Sequence, residues 1–325
     1  DPERRIARYA AAEALRLLEK QGEGGPLSEF VSELRGVATA AAVPLQALAS
    51  LTLQYEAYCA CTALTARLAD GSVALARTLD WEFPELKALN IDVRVYRKKQ
   101  LLYTATTWAG YIGILTAQRP GQYAMAVNFR EQGASPCESL GESTGDIARE
   151  SSDSSDSWQL PVGLAVRLCL ERSRTYSDFV DSIVAIPSMA PFYCMIACAD
   201  GEAVQVTRNA PHGEISRRHL EDATFLVQAN MDHWDSDPVN DTQQSLVRCQ
   251  LVDSLLQPAV ARGFVEDSEL WGILWKHPIY EKGITLYATV MIPASGAFQS
   301  RSDPPEETQL EGYGRPAGRR KKSRK

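Results

Sequence analysis

Residues 61–80 read CTALTARLADGSVALARTLD, two apolar runs on either side of Asp70-Gly71. This pattern predicts a β-hairpin, because Asp and Gly tolerate the left-handed backbone of a two-residue turn. With that pair at the tip, Cys61 stands directly opposite Asp80 and the two side chains share a face. A carboxylate beside a thiol hinders thiolate formation unless a cation is close, and Arg77 is the candidate for that cation. Strict alternation turns Arg77 to the other face, so a bulge or a strand end has to bring it in. Taken by itself, Cys61 fits a small core residue equally well.

On the N-terminal side, Ile6, Tyr9, Ala10, Ala14, Leu17 and Leu18 recur at helical spacing over residues 3–20, and the pattern stops at Gly22, Gly24, Gly25 and Pro26. A second helix over Ser28–Ala42 and a third apolar stretch ending near Tyr58 make the first sixty residues mostly helical. On the C-terminal side, strand-like runs occupy 91–97, 101–107 and 123–128. Residues 132–157 are rich in Ser, Asp, Glu and Gly and read as a mobile loop. One or two helices follow over Trp158–Ile186, then strands around 192–198, 203–207 and 224–229, helix over 245–276 and strand over Ile284–Ile292. From Arg301 onward the composition predicts disorder. Clusters of strands separated by clusters of helices predict the α+β class with antiparallel sheets, not a doubly wound parallel sheet.

The 325 residues carry 34 Lys and Arg against 41 Asp and Glu, a net charge of −7. Seven of the basic residues lie in Arg315–Lys325 with no acidic one among them, so the remainder is more acidic still. Such a body repels phosphate backbones, which argues against a nucleic-acid partner. The tail reads as a solvated end, or as a patch for an anionic surface. No apolar run reaches the roughly 18 to 20 residues needed to span a bilayer. Seven cysteines are too sparse for a disulfide scaffold, and Cys194 and Cys198 read as core thiols. Four scattered His and no paired C-x-x-C predict no metal. Gly141-Glu142-Ser143-Thr144-Gly145 fits a nucleophile elbow with Asp235 and His277 following, but its polar flanks are not the buried strand and helix such an elbow requires.

Further residues carry a resemblance. Cys61-Thr62-Ala63-Leu64 followed by Ala76-Arg77-Thr78-Leu79-Asp80 resembles the start of the mature catalytic chain in N-terminal-nucleophile hydrolases of the choloylglycine hydrolase superfamily. Within it the chain is similar to the N-acylethanolamine-hydrolysing acid amidase and acid ceramidase family. The likeness continues through Trp108–Gly113, Thr116–Gly121, Val204–Asn209, Val227–Trp234 and Lys276–Tyr280, and spans about residue 27 to residue 300. Bile-salt and penicillin V hydrolases begin with a similar hairpin but look less alike at Trp108–Gly113 and Lys276–Tyr280.

The resemblance implies a four-layer αββα sandwich made as a precursor that cuts its own Ala60–Cys61 bond. Residues 1–60 would be a helical small subunit, 61–300 the catalytic subunit and 301–325 a disordered basic tail. It implies Cys61 as nucleophile, its freed α-amine as base, Arg77 and Asp80 orienting that amine, and Asn230 donating to the oxyanion. No cofactor is implied. The substrate would be a lipid amide, an N-acylethanolamine or a ceramide, met at a peripheral membrane surface in a lysosomal or secretory lumen, where the sequon Asn240-Asp241-Thr242 could be glycosylated. The chain departs from the family at two places. Phe129 stands where the family has a Glu that assists self-cleavage, and Gln243 stands near a family Arg. Arg248 and Glu131 are the residues that could take over these roles. An uncleaved, non-catalytic lipid binder is the alternative these departures suggest.

Overall fold

The computed structural model describes residues 27–53, 60–130, 159–210, 213–236, 241 and 243–305. The helix expected over 3–20, the end of the stretch reaching Tyr58, Glu131, the loop 132–157 with Ser143, the sequon residue Asn240 and the basic tail all lie outside the described residues. In chain order the elements are α1 (Ser28–Ala41), α2 (Leu45–Leu53), β1 (Ala60–Arg67), β2 (Val73–Asp80), β3 (Asn90–Arg97), β4 (Gln100–Trp108), β5 (Thr116–Arg119) and β6 (Tyr123–Phe129). They continue with α3 (Val162–Arg172), α4 (Tyr176–Ala185), β7 (Phe192–Cys198), β8 (Ala203–Arg208), β9 (Glu214–His219), β10 (Phe225–Gln228), α5 (Ser245–Arg262), α6 (Asp267–Leu274), β11 (Thr285–Ile292) and β12 (Ala297–Arg301).

Two sheets form, one in the order β10-β1-β2-β11-β12 and one in the order β3-β4-β5-β6-β7-β8-β9. They stack face to face through small side chains: Ala63 and Leu75 from one sheet meet Ala124, Ala126, Met195 and Ala197 from the other. The outer face of the first sheet, at Leu64, Ala74 and Val290, is covered by Val252 and Leu256 of α5 and Leu270 and Leu274 of α6. The outer face of the second, at Met125, Val127 and Ile196, is covered by Val166 and Leu170 of α3 and Phe179 and Ile183 of α4. The result is the αββα sandwich that the resemblance implies, within the α+β class that the sequence pattern predicts. Strands covered on both faces need no polar alternation, which is why β1, β2, β6 and β7 read as nearly continuous apolar runs.

Local chemistry divides the helical stretches. Thr175 and Asp178 form a reciprocal capping box that starts α4, and Gly263, at φ 88°, ends α5 before α6. Arg208 closes the C-terminal end of α4 by donating to the carbonyls of Ile183 (2.7 Å) and Ile186 (2.5 Å). Among the described residues no helix is long and apolar enough to cross a membrane.

The hairpin register differs from the sequence expectation. Cys61 pairs with Leu79, Ala60 with Asp80 and Ala63 with Arg77. The reason is the turn. Leu68 and Ser72 are the last bonded pair, Leu68 N donating to Ser72 O at 2.8 Å, so Ala69, Asp70 and Gly71 form a three-residue loop. Gly71 is left-handed at φ 83° while Asp70 is not, which excludes the two-residue turn that needs both. Asp70 instead accepts from the Ser72 backbone and hydroxyl, at 2.9 and 2.6 Å. One extra loop residue moves Asp80 off the Cys61 face and puts Arg77 on it, with no bulge required between β1 and β2.

Candidate active site

Cys61 is the second residue of β1 and is fully buried between the sheets. Because Ala63 pairs with Arg77, the arginine shares its face and Nη2 donates to Cys61 Sγ at 2.8 Å. The same guanidinium donates to Thr116 Oγ1 (2.6 Å) and to the carbonyl of Val127 (3.1 Å). The Thr116 hydroxyl lies 2.9 Å from that of Tyr287. Anchoring by β5, β6 and β11 therefore fixes positive charge beside the Cys61 sulfur, where it would stabilise negative charge on that atom. Among the described residues, the core thiols Cys169 and Cys194 have no such donor: burial pushes Cys169 up to about 12 and Cys194 higher, consistent with inert core groups.

The main-chain side of Cys61 is held separately. Its nitrogen donates to Asn230 Oδ1 at 2.8 Å. Arg248 donates to the Cys61 carbonyl at 2.6 Å, to Thr62 Oγ1 at 2.8 Å and to Asn230 Oδ1 at 2.8 Å. Asn230 Nδ2 points the other way and donates to the Phe129 carbonyl at 2.8 Å. Arg248 reaches in because α5 begins at Ser245, where the Asp241 carboxylate accepts from the backbone of Ser245 and Leu246 and puts Arg248 one turn inside the helix. Gln243, by contrast, is buried with both side-chain polar atoms lacking a partner among the described residues. Arg248 thus supplies the cation that Gln243 does not. Phe129 contributes its backbone oxygen to the site while its ring belongs to the core.

Asp80 ends β2, fully buried, and accepts from Thr285 Oγ1 at 2.6 Å. Burial pushes its carboxyl up to about 6, against the lowering pull of Arg248, the Thr285 hydroxyl and Arg77; Glu281 adds to the rise. The unfolded chain titrates this group near 3.8, so the stability from its neutral form is complete below that pH and is lost as pH rises through about 6. Asp80→Asn is expected to leave stability unchanged near pH 4 and to raise it near pH 7 by roughly 3 kcal/mol at most. Melting curves of both proteins at pH 4, 5, 6 and 7 check this; a constant difference across the series would contradict it.

Of the residues singled out in the sequence, Cys61, Arg77 and Asn230 converge directly, and Asp80 lies alongside, opposite Ala60. The alternative partner His277 is exposed. Thr116, Thr285 and Tyr287 were not singled out, since each is an ordinary strand residue until the sheets bring it to the hairpin.

No family model matches the chain. It is 27% identical to the N-acylethanolamine-hydrolyzing acid amidase of Rattus norvegicus, over 82% of this chain and 69% of that protein. It is 24% identical to the acid ceramidase of Mus musculus, over 83% and 69%. Among solved structures, the Caenorhabditis elegans ortholog of N-acylethanolamine-hydrolyzing acid amidase superposes with a TM-score of 0.55 at 25% identity, covering 72% of this chain and 93% of that one. The same fold, relatives along four-fifths of the sequence and a cysteine held at its sulfur and at its backbone nitrogen converge on one class: the chain is a hydrolase of the N-terminal-nucleophile fold and a relative of the N-acylethanolamine-hydrolysing acid amidases and acid ceramidases.

Proposed function

We propose that the chain is a self-cleaving cysteine amidase that hydrolyses the amide bond of a fatty acid amide, an N-acylethanolamine or a ceramide, to free acid and amine. The observation that carries this reading is the double hold on Cys61, Arg77 at the sulfur and Asn230 at the nitrogen, each at 2.8 Å. In maturation Cys61 Sγ attacks the Ala60 carbonyl carbon and the peptide C–N bond breaks. The thiol proton passes to the departing Cys61 nitrogen, and water hydrolyses the resulting thioester to the Ala60 carboxylate and the free thiol. This divides the chain into a small subunit ending at Ala60 and a catalytic subunit of residues 61–300 followed by the tail.

The cut changes what the nitrogen can do. An amide nitrogen is not a base, whereas the α-amine it becomes has a reference pKa of about 7.7 to 8.0. That amine takes the proton of its own thiol, and the sulfur attacks the substrate carbonyl. The amine then protonates the leaving amine before water releases the fatty acid. Arg77 stabilises charge on the sulfur. Asp80, next to the new terminus in register, balances the ammonium form, and Arg248 holds the Cys61 carbonyl. In this uncut chain Asn230 holds the Cys61 nitrogen through Oδ1; to act as oxyanion donor, a role worth about 2.7 to 4 kcal/mol of barrier when filled by one side-chain amide, its Nδ2 has to turn from the Phe129 carbonyl to the substrate. Cys61 is inaccessible in the uncut chain, which fits a precursor whose first substrate is its own backbone.

Denaturing mass spectrometry of the full chain before and after incubation near pH 5 tests this reading, with turnover then measured on a panel of N-acylethanolamines and ceramides. Fragments that end at Ala60 and begin at Cys61, together with release of fatty acid, are expected. A chain that stays whole and inert toward the panel would favour the non-catalytic lipid binder, a reading that the missing carboxylate at Phe129 keeps in view.

A further inference from the structure

Beyond the residues that touch Cys61 lies a second polar cluster. Arg130 follows Phe129 directly, just past the end of β6. Its Nε and Nη2 donate to the two carboxylate oxygens of Asp232, at 2.7 and 2.6 Å, and its Nη1 to Asn209 Oδ1 at 2.5 Å. Tyr193, at the start of β7, donates its hydroxyl to the same carboxylate at 2.8 Å. The Arg130 and Asp232 side chains keep 7% and 15% of their exposure, so the pair is largely shielded from water and screening. Burial and the adjoining carboxylate push the Tyr193 hydroxyl up, which keeps it a donor.

The sequence positions of these residues give the cluster its use. Asp232 is two residues beyond Asn230, and Arg130 is one residue beyond the carbonyl that Asn230 Nδ2 grips. Asn128 Nδ2 bonds the carbonyls of Gln228 (2.8 Å) and Ala229 (3.2 Å), and Gln228 Nε2 bonds that of Met231 (2.7 Å). The loop after β10 is therefore tied to the end of β6 on both sides of Asn230, and the bidentate pair is the outermost tie. Two parallel bonds fix an orientation that a single contact leaves free to swing.

We infer that the Arg130–Asp232 pair, seated by Tyr193 and Asn209, is a positioning clamp that sets the Asn230 carboxamide against the Cys61 nitrogen and so governs the chemical step without touching substrate. The inference rests on the proposed amidase reading and deepens it. Misplacement of a reacting group by about 1 Å costs about a hundredfold in rate, and the clamp acts on that scale.

Two variants of the full chain test it. Asp232→Asn keeps the shape and one acceptor but loses the charge, and Tyr193→Phe removes one donor. The wild type is assayed first with N-palmitoylethanolamine and by mass spectrometry; absence of both cleavage and turnover there would defeat the amidase reading itself. With an active wild type, Asp232→Asn is expected to mature slowly and to lose about a hundredfold in kcat with KM within about twofold. Tyr193→Phe should move kcat in the same direction by less. Variants that melt lower but keep kcat, or that change KM alone, would overturn the clamp and leave the pair a scaffold contact.

Discussion

The Cys61→Ala variant is expected to stay whole after incubation near pH 5, with amide turnover falling to the uncatalysed background. The substitution removes one sulfur from a buried position and adds no bulk, so the sandwich folds around it at a cost of about 1 kcal/mol. What disappears is the only atom of that residue able to attack a carbonyl. Arg77 then has no sulfur to donate to but keeps Thr116 and Val127, so its place in the sheet interface is preserved. Intact mass, followed over hours beside the wild type, reads the first effect, and fatty acid release reads the second. Cleavage at Ala60 in the alanine protein would show another group cutting the bond, and turnover by an uncut alanine protein would remove Cys61 from the mechanism.

Arg248→Met is expected to lower kcat about a hundredfold and to cost about 2 to 4 kcal/mol of stability at pH 7. The methionine fills the space but leaves the Cys61 carbonyl, Thr62 and Asn230 Oδ1 without the cation that joins them. Arg248 is also the largest influence holding the Asp80 carboxyl down, so its removal lets burial push that group above about 6. A carboxyl with a higher folded-state pKa stabilises the protein most where it is neutral and gives that contribution up as pH climbs. The variant should therefore melt closer to the wild type at pH 5 than at pH 7. Melting at both values, together with kcat for the matured fraction, checks the pair of effects. Equal losses at the two pH values would uncouple Arg248 from Asp80.

Asn230 and the role of Cys61 came only from the resemblance, whereas the hairpin and the strand and helix clusters were legible in the sequence because each is written in local patterns. The register was not. Asp70-Gly71 signals a turn whose length depends on whether Ala69 joins the loop, and the choice between two and three residues decides which of Arg77 and Asp80 shares a face with Cys61. The short strand β5 and the edge strands β9 and β12 also escaped notice. β9 and β12 alternate exposed with partly buried positions and carry Arg, Glu, Gln and Ser, the composition by which sheet edges avoid further pairing. Arg248 lies 187 residues from Cys61, and only the start of α5 at Ser245 aims it inward. The resemblance named it as a candidate, through the family Arg missing near Gln243, but could not bring it to the site. Arg130, Asp232 and Tyr193 likewise come from three separate parts of the chain, and no periodicity links them.

The hiding place of the Cys61 sulfur carries one last consequence. Alkylating reagents, peroxide and passing disulfides need access to a thiol, and before the cut they have none. Under the proposed maturation the uncut form is thus protected from such reagents, and its thiol would become open to them only as it becomes open to substrate.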